Sequence, residues 1–180
     1  ENRTNSTGKF ISMINSVLRF SLIFILLILL QILLFNNIEF SGYVNPYVYI
    51  MFILLLPFEI PSWLLLLISF FTGLIIDFFS GTPGMHTSAT VVAGFVRPHV
   101  LRLISPRDGY ETGSDPSMMV YGFSWFILYA LIIVLVHHFV LFYIEVFRFT
   151  DFFRTLLRVI LSSAFSVSFI LLLEYARRGR

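Results

Sequence analysis

Apolar runs as long as a bilayer is thick dictate what this chain can fold into. Val17–Phe35 and Ser62–Phe79 run for 19 and 18 residues, and Met118–Val146 and Phe152–Tyr175 are longer still. At about 1.5 Å of rise per residue, such a run covers the roughly 30 Å hydrocarbon core of a membrane. Two weaker segments accompany them. Pro46–Leu56 is apolar but short, bracketed by Pro46 and Pro57; it could reach a full crossing by borrowing Tyr43 and Val44, or be a partial span, and Met85–Leu103 is a small-residue helix interrupted by Arg97-Pro98, where a kink is expected. Of the 180 residues only 12% are charged and 58% are hydrophobic, against about 25% and 45–50% in soluble domains. A chain this short has too much surface to hide that much Leu, Ile and Phe in one aqueous core. This excludes an ordinary soluble enzyme, a disordered tail and a nucleic-acid binder. The expected fold class is an all-α membrane protein with six transmembrane helices.

The chain divides into a polar tail at 1–16, a six-helix domain at 17–175 and a basic C-terminus at 176–180. No small-residue cleavage site follows the first apolar run, which is therefore read as a retained span. Cytoplasmic connections collect Lys and Arg. Nine of the basic residues fall on one side of a six-span arrangement: Arg3, Lys9, Arg19, Arg97, Arg102, Arg107, Arg177, Arg178 and Arg180. Arg148, Arg154 and Arg158 fall on the other. The asymmetry predicts both termini in the cytoplasm. The sequence has no cysteine, which removes disulfides, thiolate metal ligands and thiol catalysis.

The polar residues inside the spans form stripes. Ser62, Ser69, Gly73, Asp77 and Ser80 share one helical face. His86, Thr90, Ala93, Gly94 and Arg97 share a face on the next helix. Small residues let helix backbones approach closely, so the two segments are expected to form a tight hairpin about the Ser80–Gly84 turn. Asp77 needs compensation at that depth, and three roles are open to it. It could accept hydrogen bonds from Ser80, Thr82 and the turn backbone and so clasp the hairpin; it could hold an ion, proton or ligand; or it could bury against a partner helix. His86 is expected as a hydrogen-bond partner. Gln31, the polar residue inside the first span, is expected to bond across to another helix. His137, His138 and Glu145 look metal-like, but adjacent histidines diverge on a helix and no second His stands at i+4. They read as interfacial polar residues, and no metal is expected. On the last span Arg154 and Arg158 can snorkel outward, Arg158 can pair with Glu145 or Asp151, and Ser162 and Ser166 form a packing face. There is no Ser–His–Asp set at plausible depth, no H-E-x-x-H, no paired carboxylates on one helix and no phosphate loop, and the connections are short. The residues point to a packing partner or binder rather than an enzyme, with no cofactor implied.

The run GLIIDFFSGTPGMH (Gly73–His86) resembles the signature of the MreD family of rod shape-determining membrane proteins, carried here by Gly73, Asp77, Ser80 and Gly84. The segments Gly42–Pro57 and Pro106–Glu111 resemble the Bacteroidetes branch of that family. The resemblance covers the chain after about residue 14 and is densest over 31–111. It implies a fold similar to the substrate-binding (S) subunits of energy-coupling-factor transporters. It also implies a non-catalytic, multi-pass place in the bacterial inner membrane, within the elongation machinery that inserts peptidoglycan along the cell cylinder. The implied partners are the bitopic protein MreC and, through the complex, MreB and the glycosyltransferase–transpeptidase pair, with membrane lipid around them and no nucleic acid.

Two functions of different classes follow. In the first, the small-residue faces (Ser69, Gly73, Thr90, Gly94) bind and stabilise the MreC transmembrane helix. In the second, the chain is a solute- or lipid-binding subunit of a transporter, with Gln31, Asp77 and His86 lining a pocket.

Overall fold

The computed structural model describes residues 2–37, 44–111, 113–147 and 151–178, with side chains described between Met13 and Arg177. The side chains of Arg3, Lys9, Arg148, Arg178 and Arg180, counted above for topology, lie outside the described residues, as does Gly42. Among the described residues the regular elements are helices: α1 (Asn2–Leu33), α2 (Met51–Leu55), α3 (Ser62–Ser80), α4 (Met85–Leu103), α5 (Met118–Tyr121), α6 (Phe123–Val146) and α7 (Phe152–Arg178). Four stretches are long and apolar enough to cross a membrane: Met13–Asn37, Ser62–Ser80, Phe123–Val146 and Phe152–Arg177. The protein is an all-helical, multi-pass membrane protein by this measure.

Local chemistry sets the element ends. Pro61 precedes α3 with its ring-fixed φ, and α3 stops at Gly81, whose φ of +66° suits a residue without a Cβ. Helix α4 runs through Pro98 without a break in assignment. The expected single helix Met118–Val146 is instead divided into α5 and α6, because Gly122 takes a φ of +87° between them.

Helix α3 packs on α4, α4 on α6 and α6 on α7, while α1 lies against α2 and α3. The middle of the molecule is the segment 44–56. Its first residues are extended, it then turns into α2, and every residue from Val48 to Leu56 is buried. Around it the core gathers Leu27 of α1, Leu65 of α3, Ala93 of α4, Phe126, Tyr129 and Ile133 of α6, and Ile170 of α7. An unusually hydrophobic stretch thus becomes the inside of the bundle rather than a lipid-facing helix.

Arg97, counted in the sequence among the cations that set topology, has a different position. It is 1% exposed and caps the end of α2. Its guanidinium donates to the carbonyls of Leu56 and Pro57, and its Nε donates to the Tyr129 hydroxyl at 2.7 Å. That hydroxyl donates in turn to Leu54 O at 3.1 Å. The last carbonyls of a helix have no intrahelical donor and carry its negative dipole end, so a buried cation is compensated there without a carboxylate. Arg102 and Arg107 are exposed, and Arg177 pairs with Glu174 at 2.7 Å.

The connection after α4 is anchored rather than loose. Tyr110 stacks on Phe58 at 4.1 Å and donates to Leu101 O at 2.7 Å. Burial pushes its phenol above the ordinary range, which keeps the hydroxyl a donor. Trp125 Nε1 donates to Ile104 O, and Asp115 pairs with Arg19 of α1.

Candidate functional site

The α3–α4 hairpin forms from the two small-residue stripes. Ser69, Gly73 and Asp77 are buried on α3, facing His86, Thr87, Thr90, Ala93 and Gly94 of α4; Ser62, at the start of the expected stripe, is exposed. The helices meet at Gly73, where a Cβ would lie 2.5 Å from Thr87 Cα and 2.7 Å from His86 O. Only glycine fits against backbone at that range.

Asp77 holds the hairpin closed. One carboxylate oxygen accepts from Thr82 Oγ1 at 3.0 Å and His86 N at 2.9 Å. The other accepts from Gly84 N at 3.1 Å, Thr87 N at 2.9 Å and Thr87 Oγ1 at 2.6 Å. Three of these donors are backbone N–H groups at or before the first turn of α4, which have no partner within the helix. The anion therefore sits on the positive end of α4, which offsets the unfavourable end of its own helix. Ser80 is not part of this set: its hydroxyl oxygen accepts from Asn36 Nδ2 at 3.1 Å and ties the turn to the end of α1. Gly84, at φ +85°, gives the turn its shape.

At Gly94 the obstacle is a side chain and not backbone. An added Cβ would collide with Ser69 Oγ and come within 3.1 Å of Ser69 Cβ. Gly94→Ala is therefore expected to lower the melting temperature of the detergent-solubilised protein, and Ser69→Ala in the same chain to restore part of the loss. Additive losses in the double variant, measured by thermal unfolding, would contradict this contact.

The Ser69, Gly73, Thr90 and Gly94 faces are thus occupied within the chain. The expectation that they receive a partner helix is corrected: the hairpin partners are each other.

The second polar system surrounds the extended residues 44–49. Buried non-helical backbone needs partners supplied by the protein. Gln31 is fully buried, and its amide oxygen accepts from Val48 N at 2.8 Å and Tyr49 N at 3.3 Å. Its amide nitrogen donates to Pro46 O at 3.3 Å and Asn36 Oδ1 at 2.9 Å. From α7, Ser162 Oγ accepts from Asn45 N at 3.1 Å and Ser166 Oγ from Tyr47 N at 2.9 Å. Ser162 and Ser166, read in the sequence as a packing face, are the acceptors for this unwound backbone.

His137 and His138 are fully buried, which corrects the expectation of an interfacial pair. His138 Nδ1 lies 2.9 Å from Val134 O. A carbonyl can only accept, so this nitrogen carries the proton, and Nε2 accepts from Ser166 Oγ at 3.1 Å. Tyr49 OH meets His137 Nε2 at 2.6 Å, His86 Nδ1 at 3.1 Å and Thr90 Oγ1 at 3.1 Å. The Thr90 hydroxyl donates to His86 O at 2.7 Å. Tyr49 therefore donates to Thr90 and accepts from both imidazoles. This leaves His86 Nε2 as an acceptor with no partner among the described residues, and His137 Nδ1 buried without one.

Beside this system lies a cavity of about 490 Å³. Its polar wall includes Asn36, Asn45, Tyr47, His86, Glu145 and Arg158, and its apolar wall Ile32, Phe35, Phe79 and Leu141. Arg158 NH1 donates to Glu145 Oε1 at 3.0 Å, and its guanidinium lies 4.2 Å from the centre of the Phe142 ring. Of the three residues expected to line a pocket, His86 does so, whereas Gln31 and Asp77 hold backbone in place. No group of three or more His, Asp or Glu side chains able to hold a metal occurs among the described residues. Compared with protein-family models, curated proteins and solved structures, the chain has no significant match in any of the three.

Proposed function

We propose that the chain is a non-catalytic, multi-pass component of the bacterial cell-elongation machinery that binds and stabilises MreC in the inner membrane. The observation that carries this reading is the clasp. Gly73, Asp77, Ser80 and Gly84, the residues of the MreD-like signature, converge on one turn and hold α3, α4 and the end of α1 together. A motif used up in rigid helix packing suits a scaffold.

Six crossings, with an S-subunit-like arrangement, belong to this reading. In this reading segment 44–56 makes a crossing despite its length, since its non-helical first residues cover more distance per residue than a helix does. Five residues at about 3.3 Å and eight at about 1.5 Å give roughly 28 Å, close to the ~30 Å core. Helix α4 is the remaining crossing, its low apolarity explained by the face it gives to α3. The basic residues at both termini and after α4 favour a cytoplasmic location for all three.

With the small-residue faces occupied, α1 offers the surface for MreC. Only 17% of its most apolar window is buried, the least of the four apolar spans. Leu18, Leu22, Ile25 and Leu29 form one exposed stripe at helical spacing. Cognate MreC is expected to co-elute with the chain from detergent, and Leu22→Trp with Ile25→Trp to abolish co-elution without changing the melting temperature. Failure of the unaltered pair to co-elute would overturn the proposal.

A further inference from the structure

We propose that the 490 Å³ cavity is a binding site for a phosphoethanolamine group, carried either by a membrane phospholipid or by the free compound.

The cavity has the size of a ligand pocket, which runs from roughly 300 to 1,000 Å³. Its walls hold hydrogen-bonding capacity that the protein does not use. The Arg158 guanidinium lines the cavity; its NH1 is used on Glu145, and its NH2 makes no hydrogen bond among the described residues. The Asn45 carboxamide has no partner among the described residues; only its backbone is engaged, through N–H to Ser162. His86 Nε2 presents a lone pair. These three come from α7, the extended segment and α4, and they surround one space. Two supply donors, Arg158 and Asn45. Two supply acceptors, His86 Nε2 and the Glu145 carboxylate, whose side chain is 38% exposed.

The charge pattern narrows the ligand. Arg158 and Glu145 lie side by side, so the cavity carries one positive and one negative charge and a net charge of zero. A lone anion would meet Glu145 and a lone cation Arg158, each unfavourably. A zwitterion places its phosphate oxygens on Arg158 NH2 and Asn45 and its ammonium on Glu145 and His86. The Phe142 ring beneath the guanidinium limits its movement, so the donor is held in place before a ligand arrives. Ile32, Phe35, Phe79 and Leu141 complete the wall and can take the glycerol and first methylenes of a lipid. The inference does not depend on the elongation role: MreC failing to co-elute would leave it standing.

The test uses the full chain in phospholipid-free detergent. Native mass spectrometry measures retention of phosphatidylethanolamine against phosphatidylglycerol. Titration calorimetry measures phosphoethanolamine, inorganic phosphate and ethanolamine. Preferential retention of phosphatidylethanolamine, or binding of phosphoethanolamine tighter than of either fragment, supports the site. Retention of the lipid with no binding of the free compound identifies a headgroup site, and the reverse identifies a soluble ligand. Asn45→Asp, which removes no internal bond and sets a carboxylate against the phosphate, is expected to weaken binding by about tenfold or more with an unchanged melting temperature. Arg158→Lys keeps the charge but loses the planar guanidinium that can hold Glu145 and a phosphate at once, and should weaken it comparably. Glu145→Gln should remove the preference over inorganic phosphate. No binding by any probe, equal retention of both lipids, or affinity unmoved by both Asn45→Asp and Arg158→Lys would overturn the proposal and leave a water-filled cavity.

Discussion

Asp77→Ala is expected to destroy the α3–α4 hairpin as a stable unit. The carboxylate is 4% exposed and accepts from three backbone N–H groups and two hydroxyls. Alanine leaves the N–H groups of Gly84, His86 and Thr87 facing each other in a site that water reaches poorly. Each buried donor left unpaired costs roughly 1–3 kcal/mol, so a loss of about 4–6 kcal/mol is expected after partial rearrangement. That is a large part of the stability of an ordinary domain, roughly 5–15 kcal/mol. Asp77→Asn keeps one acceptor oxygen but turns an NH₂ toward two of the donors and removes the anion from the positive end of α4; it should fall between alanine and the native residue. Size-exclusion chromatography after a temperature ramp in detergent measures all three. An alanine variant that melts with the unaltered protein would mean that the clasp contributes nothing.

Gln31→Leu is expected to be nearly as damaging, by roughly 2–5 kcal/mol. Leucine fills a similar space, so the loss isolates the amide. It strips Val48 N and Tyr49 N of their acceptor and Pro46 O of its donor, all in a segment that lies before the first turn of α2. Gln31→Glu should not rescue: it retains the acceptor oxygens, loses the donor to Pro46 O and Asn36, and buries a charge. Thermal unfolding together with protease sensitivity near residues 44–49 checks this. Equal stability of the Gln31→Leu variant would mean that water or lipid satisfies the extended backbone.

The hairpin is legible in the amino-acid sequence because its signal is local and periodic. Ser69, Gly73 and Asp77 recur every four positions on α3, and Thr90 and Gly94 do so on α4, so helix geometry puts each set on one face and the short turn brings the faces together. The route of residues 44–48 is not legible in the same way. Its hydrogen-bond partners, Gln31, Ser162 and Ser166, stand from 15 to 119 positions away, and no window of sequence contains them together. The histidine pair escapes for a related reason. Helix α6 is apolar on all sides, so its pattern favours no face, and only the Tyr49 hydroxyl arriving from another segment gives His137 a reason to be inside. Arg97 fits a rule about flanking charges but does a job set by the carbonyls of Leu56 and Pro57. The cavity lies beyond pattern reading too, since Asn45, His86 and Arg158 share no spacing.

The unwound stretch also constrains the order in which the chain can be built. Asn45 N and Tyr47 N wait for hydroxyls made 117 and 119 residues later. Until α7 emerges from the ribosome, these amides lack the acceptors they have in the folded chain, and the centre of the bundle cannot be completed from the N-terminus in sequence. The segment 44–56 is therefore the last to settle, drawn in when the final helix closes beside it. A chain cut short before Ser162 would carry a correct hairpin and still lack its centre.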